Sequence, residues 1–362
     1  MTMSYVDRRR RLIELLTDRG LDGAVVTDLV NVRYLCGFTG SNGALLVRAD
    51  GDPVFATDGR YIEQGAVETG LEPVLVKGSC AQALVTTAVD AHDAGRLGLE
   101  TDKVSYDSYQ QLSETAGSWQ LAPLARAVEA LRTIKDDPEV DALRSACAIS
   151  SQALEQLLDS ELVGRTERSL ARQLESAMLE LGAEAIGFDT IMASGPHSSV
   201  PHHQPTDREV ARGDLLKIDF GARVMGYHAD CTRTFVVARE PAQWQAEIYA
   251  AVEAAQAIGV DHAVVGTATK DVDAAVVASL EQAGVADKFV HGLGHGVGLE
   301  IHEDPFLGAK TTGTLADRTT ITIEPGVYLP GRGGVRIEDT LVVTADGPNI
   351  LTTASKQLRV VG

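Results

Sequence analysis

The spacing of apolar positions changes character several times along the chain. In Arg8–Arg19, Leu12, Ile13, Leu15 and Leu16 fall at helical intervals, which predicts an amphipathic first helix. Gly23–Thr27, Gly43–Val47 and Pro53–Thr57 are short β-prone runs, and Asp50-Gly51-Asp52 between the last two is a hairpin signal. A polar stretch, Arg132 to Pro138, then reads as a linker into a helix that starts near Pro138. Beyond it the pattern predicts helices over Asp137–Leu158 and Thr166–Leu181, a Pro/His-rich loop at Ser194–Pro205, and strands over Leu215–Ala222 and Tyr227–Val237. Two more helices (Trp244–Ala257, Thr269–Ala283), a Gly/His loop (His291–His302) and two more strands (Thr319–Glu324, Val335–Val343) follow. Helix, helix, hairpin thus occurs twice, which suggests two half-domains related by an internal pseudo-two-fold. The expected organisation is an α/β domain over residues 1–131 and a second, α+β domain over 132–362.

Charge narrows the function. The 362 residues carry 32 Lys and Arg against 51 Asp and Glu, a formal net charge of −19. That balance opposes binding to a phosphate backbone, which depends on basic side chains, and opposes a polybasic membrane anchor. The basic run Arg8–Arg11 precedes an apolar stretch too short for a signal peptide and broken by Glu14 and Asp18. No window reaches the ~18 uninterrupted apolar residues of a membrane-spanning helix. Cys36, Cys80, Cys147 and Cys231 lie far apart without CxxC spacing. This argues against a disulfide scaffold or thiolate zinc site and fits a cytoplasmic location.

Acids appear where strands should be apolar. Asp219 lies within Leu-Leu-Lys-Ile-Asp219-Phe-Gly, and Asp230 follows in Tyr-His-Ala-Asp230-Cys. A hairpin turning around Val224–Met225 would place the two directly opposite, on one sheet face, ~4.5–5.5 Å apart at Cβ. Glu324 closes Thr-Ile-Thr-Ile-Glu324, and a loop centred on Gly331 would set it opposite Glu338. A single strand acid is ordinarily solvent-exposed. Two such coincidences point instead to a cation or a shared proton between paired carboxylates.

Histidine supplies a further ligand type: His202 and His203 in one loop, His291, His295 and His302 in another. The glycines of His291-Gly-Leu-Gly-His295-Gly-Val-Gly permit close backbone approach, but no Lys follows as in a phosphate loop. Four carboxylates and one imidazole suit two divalent ions. The oxygen-rich set favours Mn²⁺, with Co²⁺ or Zn²⁺ as alternatives.

These stretches, together with Ile323-Glu324-Pro-Gly-Val-Tyr, Arg336-Ile-Glu338-Asp, Asn31-Val-Arg-Tyr-Leu-Cys-Gly-Phe and Asp58-Gly-Arg-Tyr, resemble the aminopeptidase P and prolidase family of dinuclear metallopeptidases. The resemblance covers nearly the whole chain. It implies a pita-bread catalytic domain preceded by a smaller α/β domain, with proline-containing peptides as substrates and a homodimer as the assembly. It implies Asp219, Asp230, His295, Glu324 and Glu338 as metal ligands, Asp230 and Glu338 bridging two ions. Glu324 would also act as proton acceptor, His202 and His302 would bond the substrate carbonyl or oxyanion, His291 would line the proline pocket, and Arg336 would orient Glu338. The activity expected is Xaa-Pro aminopeptidase, with Xaa-Pro dipeptidase as the alternative. The two differ in whether a cation such as Lys310 or Arg332 anchors the free proline carboxylate. A non-catalytic peptide- or protein-binding scaffold is a third reading, opposed by the intact ligand set.

Overall fold

The computed structural model describes residues 4–362. The chain divides into two compact units, one ending at Arg132 and the other spanning Thr133–Gly362.

In the first unit a six-stranded sheet has the spatial order Val74–Leu75, Gly51–Thr57, Gly43–Arg48, Gly23–Val26, Arg96–Leu99, Gln120–Pro123. The two pairings made by Gly43–Arg48 are antiparallel and the outer three are parallel. Parallel neighbours need crossovers, which the helices Ile62–Thr69, Cys80–Ala91 and Tyr106–Ala116 provide. The first helix, Tyr5–Asp18, begins earlier than the arginine run because Ser4 caps the Asp7 amide while the Asp7 carboxylate accepts from the Ser4 amide. Its Leu12 and Leu16 are buried. Tyr34 lies buried beneath the Arg8 guanidinium, Phe38 packs on Phe55 at 4.7 Å between centroids, and Arg60 pairs with Asp58 at 2.8 Å. All three are core or local partners.

The second unit contains the same arrangement twice. Helices Asp137–Leu158 and Glu167–Glu180 pack Leu154, Leu157, Leu170, Leu174 and Met178 against Leu216, Ile218, Phe220 and Phe235 of one set of strands. Helices Gln243–His262 and Thr269–Gln282 pack Val252, Val272 and Val276 against Ile321, Ile323, Val335 and Leu341 of the other. The first helix of the unit begins where Asp136 caps the Glu139 amide and Pro138 occupies a position whose N–H is not needed.

The two hairpins that carry the acids differ from a simple reading in one respect each. In the first, strand Leu215–Phe220 pairs antiparallel with Cys231–Val237, and Asp219 faces Thr232 rather than Asp230. The turn falls on Met225-Gly226, both at positive φ (51° and 85°), one residue beyond the expected Val224–Met225. A two-residue turn of that hand matches strand twist. Moving it one residue shifts the register by two, which keeps Asp219 and Asp230 on one face as diagonal neighbours. In the second, the pairing predicted around Gly331 holds from Leu329–Gly333 out to Thr320–Val342. Here the expected continuous strands are interrupted: Glu324 lies between Thr320–Ile323 and Gly326–Leu329, and Glu338 between Gly333–Arg336 and Asp339–Thr344. The chain passes there from a five-stranded to a two-stranded sheet. Asp230 likewise sits just before Cys231–Val237, after the break at Ala229.

Candidate metal centre

The breaks bring the acids together. Asp219, Asp230, His295, Glu324 and Glu338 line one pocket of about 460 Å³, together with His202, His291 and His302. One ligand atom each from Asp230, His295 and Glu338 lies within 4.8 Å of the other two. His295 Nε2 is 3.3 Å from Glu324 Oε1 and 3.5 Å from Asp230 Oδ2. Its Nδ1 donates to the Gly296 carbonyl (3.0 Å), which leaves Nε2 as the ring nitrogen that faces the carboxylates and would serve as a metal ligand. Glycine on either side of His295 is a steric requirement: a Cβ would stand 2.1 Å from the Thr322 carbonyl oxygen at Gly294 and 2.3 Å from that of Asp304 at Gly296.

The electrostatics show what the pocket fits. Burial, then the neighbouring carboxylates, push Asp230 and Glu338 well above the ordinary carboxyl range. Burial also opposes ionisation of Glu324, but the His295 hydrogen bond and charge and that of Arg336 outweigh it and hold Glu324 low. Burial would lower His295, yet Glu324 raises it. Buried, unbonded oxygens remain on two of the acids, Asp219 Oδ1 and Glu338 Oε1. An unsatisfied buried carboxylate oxygen is costly. Two of them, in a cluster of four acids with an imidazole nitrogen aimed inward, fit a divalent cation as the missing partner.

The remaining predicted residues divide by role. Arg336 does not line the pocket; it is buried behind it. Its Nη2 pairs with Asp219 Oδ2, its Nη1 donates to Tyr328 Oη (2.8 Å), and its Nε donates to Thr232 Oγ1 (3.0 Å). It therefore holds Asp219 directly and reaches Glu338 only through Thr232, whose hydroxyl donates to Glu338 Oε2 at 2.7 Å. The expected influence of Arg336 on the orientation of Glu338 thus runs through the Thr232 hydroxyl. His291 has both nitrogens engaged: Nδ1 donates to the Gly292 carbonyl and Nε2 accepts from Tyr328 Oη, both at 2.8 Å. Burial lowers its pKa, so it presents a neutral ring to the pocket. His202 and His302 are exposed on the pocket wall, and neither hydrogen-bonds a described residue, so both are free to donate to a substrate. Neither Lys310 nor Arg332 lines the pocket, and Arg332 stacks over Trp244 at 4.3 Å.

Sequence reasoning assigned no role to Tyr328, Thr232 or Lys217. Tyr328 joins Arg336 to His291 and was present in the Ile323–Tyr328 motif. Lys217 is fully buried within the apolar run before Asp219, where a lysine, like the aspartate, is out of place. Burial, with the nearby Arg336 charge, pushes it down to about 6.

The chain is similar to known peptidases over almost its whole length. The family model Metallopeptidase family M24 matches residues 141–345, and Creatinase/Prolidase N-terminal domain matches residues 8–134. The Xaa-Pro dipeptidase of Pyrococcus furiosus is 34% identical over 97% of this chain and 99% of its own. The structure of an Xaa-Pro dipeptidase from Bacillus anthracis superposes with a TM-score of 0.94 at 35% identity, over 99% of this chain and 100% of that one. An X-Pro aminopeptidase from Thermotoga maritima gives 0.90 at 32% identity, over 98% and 99%. The α+β architecture, with a creatinase-type α/β domain before a pita-bread domain, is that of these proteins.

Proposed function

Since the chain belongs to metallopeptidase family M24, we propose that it hydrolyses the bond between an N-terminal residue and a following proline, with Xaa-Pro dipeptides as its substrates. The observation that carries the hydrolytic reading is the pocket of four acids and an inward-facing imidazole nitrogen, in which Asp219 Oδ1 and Glu338 Oε1 lack partners. The dipeptide reading is supported by the names of the Pyrococcus and Bacillus relatives. Asp219, Asp230, His295, Glu324 and Glu338 would hold two divalent ions, and the oxygen-rich donor set favours Mn²⁺. When bound, such ions polarise a carbonyl and make water acidic enough to attack it near neutral pH.

The chain's own residues supply the rest. Glu324 accepts the proton of the attacking water on a carboxylate oxygen. His202 and His302, with free ring nitrogens, donate to the carbonyl oxygen as it gains charge; such donors contribute about 3–4 kcal/mol each. The His291 ring, fixed at both nitrogens, forms a wall for the proline ring. A tertiary Xaa-Pro amide brings no N–H, so this wall can be apolar without leaving a buried donor unpaired.

A second reading, Xaa-Pro aminopeptidase, is favoured by the pocket lining. Phe188, Ile191, Ile301 and Phe306 accompany the acids and histidines, and no Lys or Arg is among the lining residues described. The Thermotoga relative carries that name. The test is release of alanine from Ala-Pro and Ala-Pro-Ala by Mn²⁺-loaded protein. Higher kcat/KM on the dipeptide supports the proposal, and higher kcat/KM on the tripeptide replaces it with the aminopeptidase. Cleavage of neither removes both.

A further inference from the structure

His202 faces the pocket without a hydrogen bond to any described residue, so its position depends on the loop that carries it. That loop is gripped on both sides of the histidine. On the N-terminal side Lys217 Nζ donates to the carbonyls of Val200 (2.7 Å) and Pro201 (3.1 Å), and Arg336 Nη1 adds a bond to Pro201 (3.2 Å). On the C-terminal side the fully buried Glu167 carboxylate takes His203 Nε2 at 2.9 Å, the Thr206 amide at 3.0 Å and the Thr206 hydroxyl at 2.7 Å. Its other oxygen takes the Ser194 amide and hydroxyl, both at 2.8 Å, and His197 Nδ1 at 3.0 Å.

We infer that Glu167 is a positioning residue for His202: by tying His203, Thr206, Ser194 and His197 to one carboxylate, it fixes the loop that aims the His202 imidazole into the pocket. The inference rests on the role proposed for His202 above. Glu167, His197 and His203 also have the composition of a metal site, with ligand atoms within 4.8 Å of one another. The hydrogen bonds argue against that use. A carboxylate offers about four lone-pair sites, and here two amides, two hydroxyls and two imidazoles already occupy them. Burial would raise Glu167, but the bonds from His203, Ser194 and Thr206 outweigh it and bring it down to about 2, the behaviour of a satisfied anion. Replacement by Gln would turn an amide NH₂ toward donors that need an acceptor.

The experiment is a double-mutant cycle on Ala-Pro hydrolysis with Glu167→Gln and His202→Ala, with bound Mn²⁺ per chain measured for every protein. The expected result is that E167Q lowers kcat by about 10–10²-fold, with KM within about twofold, as for a small misplacement of a reacting group. In the H202A background E167Q should lower kcat by less than about twofold, with bound metal unchanged throughout. Should E167Q not fold, His203→Ala and Thr206→Val carry the same cycle, because both leave the carboxylate in place. Multiplying effects in the double variant would overturn the positioning role and leave the role of His202 standing. An H202A enzyme of unchanged kcat would remove the role of His202 itself. Loss of a metal equivalent in H203A would make the cluster a metal site and overturn the inference.

Discussion

Two buried carboxylate clusters in the second unit have opposite electrostatics. In the pocket, Asp230 and Glu338 are raised by burial and by neighbouring carboxylates, and Asp219 Oδ1 and Glu338 Oε1 have no hydrogen-bond partner. Around Glu167, an equally buried carboxylate is held low because amides, hydroxyls and imidazoles surround it. Acid and histidine occur in both, so composition does not separate them. The difference is satisfaction: a buried carboxylate whose acceptors are filled is structural, whereas a cluster of acids with unpartnered oxygens fits a cation. Lys135 and Glu303 form a third case, a buried ion pair beside His302 in which a lysine provides the charge.

The contrast can be broken at either end. The largest effect is expected from Asp219→Asn, which should reduce hydrolysis to background and lower bound metal together; full activity, or metal retained at wild-type level, would end the ligand assignment. His302→Ala should lower kcat by about 10²–10³-fold with metal retained, the usual loss for one donor to a developing oxyanion; paired kcat and metal assays check it. Lys135→Met, which removes the lysine from a fully buried ion pair with Glu303, should cost about 3–5 kcal/mol of stability in denaturant unfolding, and the double replacement K135M/E303M should recover much of it.

The smallest effects, and the sharpest on the comparison, concern pH. In chelator-treated protein Glu338 is raised above its ordinary value of 4.5. Its stabilising contribution is thus complete below that value and lost as pH climbs through the raised one. Glu167 is lowered from 4.5 to about 2, so its contribution is present above 4.5 and lost as pH falls toward 2. Calorimetric Tm against pH should show Glu338→Gln flattening the decline above pH 4.5 and E167Q flattening the acid limb. The same limb affected by both substitutions would erase the distinction. Metal loading should reverse the upper trend, because cations compete with protons for the same oxygens.

The sequence by itself determined much of this. Apolar periodicity marked Asp137–Leu158 to the residue, because a capping Asp136, a Pro in the first turn and a regular buried face all agree there. Acids in otherwise apolar runs marked Asp219, Asp230, Glu324 and Glu338, which the structure gathers in one pocket, because burying a carboxylate is costly and needs a partner, and the loop around Gly331 set the register of the second hairpin. The tertiary structure alone decided the rest. The first hairpin's register turned on which two residues adopt positive φ, and Met225 gives no sign of it. The strand break at Glu324 has a sequence signal in Pro325-Gly326, but those at Ala229 and Glu338 have none, because the flanking residues Cys231 and Ile337 stay buried and β-prone on both sides of the crossing. The gathering of Glu167 with His203, and of Lys217 with Pro201, joins residues tens of positions or a whole loop apart, and a hydrogen bond between distant side chains leaves no periodic trace in sequence. Whether a buried acid is satisfied or waiting for a cation depends on those bonds, and so belongs to the folded chain.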